Sequence, residues 1–160
     1  MLVMLIRHAQ ADQQSETQYP DDSVRPLVPK GRKVQRRVTR AMRKRGLVPS
    51  RVFSSPWKRA WQTARIVVEE LGLSKNQRIP CQGLAGPPDL QALAAEIGEV
   101  APDETIGLVG HEPWMSELAQ LLLTGEHGRP HLDFPKSGVM GIELDGWNAG
   151  TGVLRFFLVP

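Results

Sequence analysis

The chain has 160 residues, a single cysteine and a net charge of +3. This length predicts one domain over 1–160, able to bury about 70% of its extended-chain surface without staples. Cys81 alone excludes an internal disulfide, and no stretch reaches the roughly 20 apolar residues of a membrane span. The first apolar run is too short, and lacks the basic leader, for a secretion signal, so the expectation is a soluble, cytoplasmic, monomeric protein.

Charge is distributed unevenly. No acid occurs between Asp22 and Glu69, where 14 of the 20 Lys and Arg lie, while the other six share the rest of the chain with all 17 acids. Such a basic half favours an anionic partner. Charge alone leaves open whether that is nucleic acid, a phosphoprotein or a phosphorylated metabolite.

In chain order, Leu2 to Ile6 is an apolar run that reads as a buried strand, and Arg7-His8 stands where it should end. Residues 10–28 lack periodicity and read as a long loop, a length often tied to function. Pro29 suits the first turn of a helix. Val34, Val38, Ala41 and Met42 continue it at helical spacing, Gly46 stops it, and its other faces are strongly basic. Arg51 to Phe53 predicts a second strand. Ser54-Ser55-Pro56 then predicts a helix start with Ser as cap and Pro56 at the first helical position. Ala60, Ala64, Val67, Val68 and Leu71 mark the inner face of that helix, and Arg59 and Thr63 share another face.

Residues 78–81 predict a brief edge strand, and Leu90, Leu93, Ala94 and Ile97 a third helix. Thr105 to Val109 is a third good strand, running into Gly110-His111 and a further helix. Strands 139–144 and 153–159, joined by Gly- and Asn-rich residues, predict a closing hairpin. The alternation predicts an α/β three-layer sandwich, a mainly parallel sheet with helices on both faces and a C-terminal antiparallel hairpin.

Ligands of open α/β sheets bind outside the carboxyl ends of the strands. Three such ends carry Arg7-His8, Arg59 and His111. Two guanidinium groups and two imidazoles suit a dianionic tetrahedral group such as phosphate. Helix N-termini nearby add positive potential. Cations around an imidazole keep it neutral, and therefore nucleophilic.

At these residues the chain resembles the histidine phosphatase superfamily. The matching segments are Arg7-His8-Ala9, then Ser55-Pro56-Trp57-Lys58-Arg59-Ala60-Trp61-Gln62-Thr63, then Gly110-His111. Ser23-Val24-Arg25-Pro26-Leu27 and Gly31 also resemble its short, SixA-like phosphohistidine phosphatase branch. The resemblance implies a phosphoglycerate mutase-like fold and a metal-independent, cofactor-free phosphatase in signal transduction. His8 would accept the phosphoryl group, and Arg7, Arg59 and His111 would bind its oxygens. Arg25 would be a further substrate contact. The implied partner is a phosphohistidine protein or a small phosphate ester.

Two departures stand out. Ala9 replaces a usual Gly, which is tolerable if its φ is negative. The insertion that supplies an acid to the leaving group in larger branches is missing; Asp89 and Glu112 lie near in sequence but match no motif position. A phosphohistidine, whose imidazole leaves more readily than an alkoxide, is the substrate class that fits.

Simpler readings accompany these. Each histidine alone could be structural, and Arg59 a surface helix residue. Trp57, Trp61 and Trp114 could line the pocket or pack on the sheet. His127 and His131 are four apart, but Gly128 and Pro130 favour an exposed loop over a metal pair. The basic helix could be a solvated face or a dock for acidic phosphoprotein; nucleic acid is disfavoured because no recognition motif or interleaved aromatic occurs there. The alternatives to a phosphohistidine phosphatase are a small-molecule phosphatase of the same fold and a non-catalytic binder of acidic protein or RNA.

Overall fold

The computed structural model describes residues 1–128 and 132–160. Six strands form one sheet in the order β3-β2-β4-β1-β5-β6. They are β1 (Leu2–Arg7), β2 (Arg51–Ser54), β3 (Arg78–Pro80), β4 (Thr105–Gly110), β5 (Val139–Glu143) and β6 (Val153–Leu158). β1, β2, β3 and β4 run parallel, while β5 is antiparallel to β1 and to β6. The parallel sheet with its closing hairpin is the architecture expected.

Alternation along β1 sorts the core. Met4 and Ile6 face α1 (Pro29–Lys44) and α2 (Lys58–Leu71), in a cluster with Val38, Met42, Ala64 and Val67. Val3 and Leu5 face α3 (Leu90–Ile97) and α4 (Trp114–Thr124), with Leu93, Leu118 and Leu122. Successive strand side chains point to opposite faces, so the four buried residues of one strand seed both layers.

Local signals explain most boundaries. Pro29 occupies the first turn of α1, and Gly46 and Gly72 follow α1 and α2 with φ of 70° and 74°, a backbone region where a Cβ is costly. Asp89 caps α3 by accepting from the backbone N–H groups of Gln91 and Ala92, both at 3.0 Å.

One boundary and one buried face differ from expectation. α2 begins at Lys58, with no side-chain cap. The Ser55 hydroxyl instead accepts from Trp57 N at 3.3 Å and meets His111, so Pro56 stays outside the helix. In α1 the buried face includes Gln35 and Thr39, which hydrogen-bond each other at 3.2 Å. Val34 and Ala41 lie at its margin, only half-buried. Loop 10–28 also has order of its own: a bridge joins Ala11 to Leu27, and a 3-10 turn spans Asp22–Val24.

Candidate active site

The parallel strands deliver their carboxyl ends to one edge. β1 and β4 are in register from Leu2↔Thr105 to Arg7↔Gly110, so the residues that follow them, His8 and His111, emerge side by side. His8 N donates to Gly110 O at 3.0 Å. Their rings stand 5.1 Å apart, centroid to centroid. Arg59 comes from the first turn of α2, which follows β2. Arg7, His8, Arg59 and His111 therefore meet at one place.

His8 is oriented by the backbone of the residue that follows it. Its Nδ1 lies 2.7 Å from Ala9 O. A carbonyl only accepts, so Nδ1 carries the proton and Nε2 keeps its lone pair. Arg59 Nε donates to that Nε2 at 3.3 Å. Burial, the largest cause, pushes the His8 imidazole well below the ordinary histidine range; its bond to Ala9 opposes this, while His111, Arg59 and Arg7 reinforce it. The ring is thus neutral, with one ring nitrogen available as nucleophile. Ala9 fits the turn: among the described residues Ser137 is the one non-glycine with positive φ.

His111 is 2% exposed, and burial followed by the charge of Arg59 pushes its pKa down to about 3. Its Nε2 lies 2.8 Å from Ser55 Oγ, and its Nδ1 is buried without a partner. Arg7 donates from Nη1 to Phe134 O at 2.6 Å, leaving its buried Nε unpartnered. Arg7 Nε is a donor in waiting beside a neutral imidazole, and the unpartnered His111 Nδ1 is a second polar atom that a tetrahedral anion would engage.

Loop 10–28 adds a group that sequence reasoning missed. Asp22 Oδ2 lies 3.0 Å from Arg59 Nη2, and its carbonyl accepts from Arg59 Nη1 at 2.9 Å. Arg25 bonds the other oxygen of Asp22 from Nε at 2.8 Å and reaches Asp12 O from Nη1 at 2.8 Å. Arg25 is therefore brought to the site, where it buttresses Asp22. The sequence signal was an acid three residues before Arg25. Ser137, with φ of 65°, also escaped notice: its N–H donates to Arg7 O at 3.1 Å, closing the loop behind the site. Lys136 beside it is depressed from the usual lysine range by burial and by the charges of Arg7 and Arg25, which sets a further cation at the rim.

Three tryptophans divide. Trp57 lies under the Arg59 guanidinium at 4.6 Å and against the His111 ring at 4.8 Å. Trp114 meets His111 edge-on at 6.1 Å. Trp61 sits instead under Arg78. The two acids considered for the leaving group are engaged elsewhere: Asp89 caps α3, and Glu112 accepts from Ser116 Oγ at 2.7 Å. Among the described residues no cluster of three or more His, Cys, Asp or Glu could hold a metal, and His131 lies outside them.

Comparison with known proteins gives the family and the fold. A family model described as "Histidine phosphatase superfamily (branch 1)" matches residues 3–79. An uncharacterized protein of Picosynechococcus sp. (strain ATCC 27264 / PCC 7002 / PR-6) is 35% identical over 145 residues, covering 89% of this chain and 84% of its own. The protein histidine phosphatase SixA, solved with tungstate, is similar over 99% of this chain and 96% of its own, with a TM-score of 0.80 and 26% identity. A phosphoserine phosphatase of Entamoeba histolytica shares the fold, with a TM-score of 0.64 at 15% identity over 98% of this chain and 95% of that one.

Proposed function

Because this chain belongs to the histidine phosphatase superfamily, whose members are phosphatases, we propose that it is a metal-independent, SixA-like protein phosphohistidine phosphatase. The observation that carries the reading is the His8 imidazole. Its Nδ1–H is committed to Ala9 O, and its neutral Nε2 faces Arg59 Nε.

In the first step the Nε2 lone pair attacks phosphorus in line. A P–N(His8) bond forms as the bond to the leaving group breaks. Arg7, Arg59 and His111 hold the three equatorial oxygens, so catalysis is positioning plus electrostatic stabilisation. We assign the His111 proton to Nδ1, with the Ser55 hydroxyl, 2.8 Å away, donating to Nε2; that tautomer turns a donor toward the phosphoryl group. The leaving imidazole takes its proton from water. In the second step water attacks phosphorus, the P–N(His8) bond breaks, and inorganic phosphate leaves with His8 restored.

The leaving-group argument favours phosphohistidine over an alkyl ester. Asp89 and Glu112 are occupied as helix-start partners, and Asp22 is held ionised between two arginines. An alkoxide needs a proton in the transition state, and an imidazole needs it far less. We read residues 1–160 as one domain, active in the cytoplasm on a phosphorylated signalling protein.

Rapid quench with labelled phosphodonor tests the mechanism. Acid-labile, base-stable label is expected on the parent and absent from His8→Ala; label that persists in His8→Ala rejects it. Turnover of a phosphohistidine peptide, an aryl phosphate and an alkyl phosphate then tests the substrate class. Alkyl phosphate turned over as fast as the peptide would favour a small-molecule phosphatase instead.

A further inference from the structure

The exposed face of α1 is not used by the phosphoryl chemistry. Lys30, Val34, Arg37, Ala41 and Lys44 recur at alternating spacings of four and three, the spacing of a helix–helix seam. Together with Lys33 they line an open trough of about 680 Å³. Val34 and Ala41 form its short apolar floor and the cations its walls. From Lys30 to Lys44 it runs about 21 Å, four turns of a helix.

Four of the six cations that line it are uncompensated. Arg36 and Arg40 pair with Glu70 across on α2. Among the described residues Lys30, Lys33, Arg37 and Lys44 have no ion-pair partner. Lys30–Lys33 and Lys33–Arg37 are like-charged neighbours at helical spacing, an arrangement that repels unless an anion lies across it.

The trough begins at Lys30, on the turn of α1 that packs against the loop following His8. Val28, just before α1, donates to Gln10 O at 3.1 Å, and Arg32 on the first turn reaches Gln62 Oε1 on α2 at 3.3 Å. α1 then runs away from the carboxyl edge of the sheet. The Lys30 end of the trough is therefore the end nearer His8, from which a macromolecular substrate could extend along α1.

We propose that the α1 trough docks an acidic α-helix of the protein that carries the phosphoryl group; the identity of that carrier rests on the phosphohistidine reading above. A straight seam with a small apolar floor between cations matches a helix whose central residues are apolar and whose flanks are Glu and Asp. Single-stranded RNA fits less well, because bases need aromatic platforms and residues 29–45 contain no aromatic side chain.

The test uses two designed three-helix proteins, each with one exposed histidine. In one the helix beside that histidine carries an apolar seam flanked by Glu and Asp; in the other Lys and Gln replace the acids. Binding of the unphosphorylated proteins is read by fluorescence anisotropy. The acidic protein should bind more tightly than the basic one, and Lys33→Glu/Arg37→Glu should weaken it roughly 10-fold or more and flatten its salt dependence. Should that variant unfold, Lys33→Ala/Arg37→Ala should show the same direction.

Equal binding of both proteins, or binding unchanged in the folded variants, overturns the proposal. So does tighter binding of a uridine oligonucleotide than of the acidic protein. Turnover separates the two readings: kcat/KM on the phosphorylated acidic protein should fall with binding, while phosphoimidazole turnover stays unchanged. If neither is hydrolysed, the phosphohistidine reading fails, and the anisotropy data still decide the docking site.

Discussion

Asp22 grips Arg59 from the side opposite His8. Its Oδ2 meets Arg59 Nη2 at 3.0 Å and its carbonyl meets Nη1 at 2.9 Å, while Arg59 Nε points at His8 Nε2. A carboxylate in a phosphate site would ordinarily repel the substrate. Here Arg25 shares its charge, and the Arg25 hydrogen bond is the main reason its carboxyl lies below the usual range. The pair thus fixes the rotation of the guanidinium, and with it the line from Arg59 to His8.

Removing that grip should cost rate more than affinity. Asp22→Ala frees Arg59 to turn, and a misplacement of about 1 Å can cost on the order of 100-fold. We expect kcat on an aryl phosphate to fall roughly 10- to 100-fold, with a smaller change in KM. A kcat equal to the parent's would show that Asp22 does not position Arg59.

The buried imidazoles set an acid limit on stability. In the unfolded chain each histidine binds a proton near pH 6.5. In the folded chain His111 does so only at about 3, and His8 also well below the ordinary value, burial being the first cause for both. The unfolded state therefore binds more protons below about pH 6.5. Stability is fully present above that pH and is lost as pH falls, by up to about 1.4 kcal/mol per pH unit for each group. Urea midpoints between pH 7.5 and 5 should decline, and His111→Gln should make the decline shallower. Imidazole NMR should find His8 as the neutral Nδ1–H tautomer throughout; a titration midpoint within that range contradicts the burial argument.

Thr63 ties the nucleophile turn to α2. Its Oγ1 accepts from Ala9 N at 3.0 Å and donates to Arg59 O at 2.8 Å. Thr63→Val keeps the shape but leaves a buried N–H unpaired, a cost of about 1–3 kcal/mol. At this size that lowers Tm by roughly 2–10 °C. Thr63→Ser should recover most of it; if Ser is no better than Val, packing rather than the hydroxyl explains the loss.

Gly31 lets α1 start against the loop that follows His8. A Cβ there would run into the Gln10 carbonyl, and backbone cannot swing aside as a side chain can. Gly31→Ala should destabilise the fold by about 1–3 kcal/mol and weaken activity by displacing Gln10. A differential scanning measurement showing an unchanged Tm would mean that α1 shifts freely.

The elements were largely legible because their signals are local. Pro29, Gly46 and Gly72 punctuate the helices, and the apolar runs at Leu2 to Ile6 and Thr105 to Val109 leave little choice but buried strands. Arg7, His8, Arg59 and His111 were legible because each stands at a strand end or just beyond it, where an α/β sheet exposes side chains. The start of α2 was misplaced because Ser55 and Pro56 carry a helix-start signal that the contact with His111 outweighs.

Sequence alone determined that Arg7, His8, Arg59 and His111 reach the carboxyl edge, since strand length and alternation are written in adjacent positions. Tertiary structure alone decided how they are held. The two-sided grip of Asp22, the hydroxyl of Ser55 against His111 and the turned backbone of Ser137, which donates to Arg7 O, join residues 37 to 130 positions apart. Those bonds depend on angles and distances set by packing the whole sheet, and no local pattern encodes them.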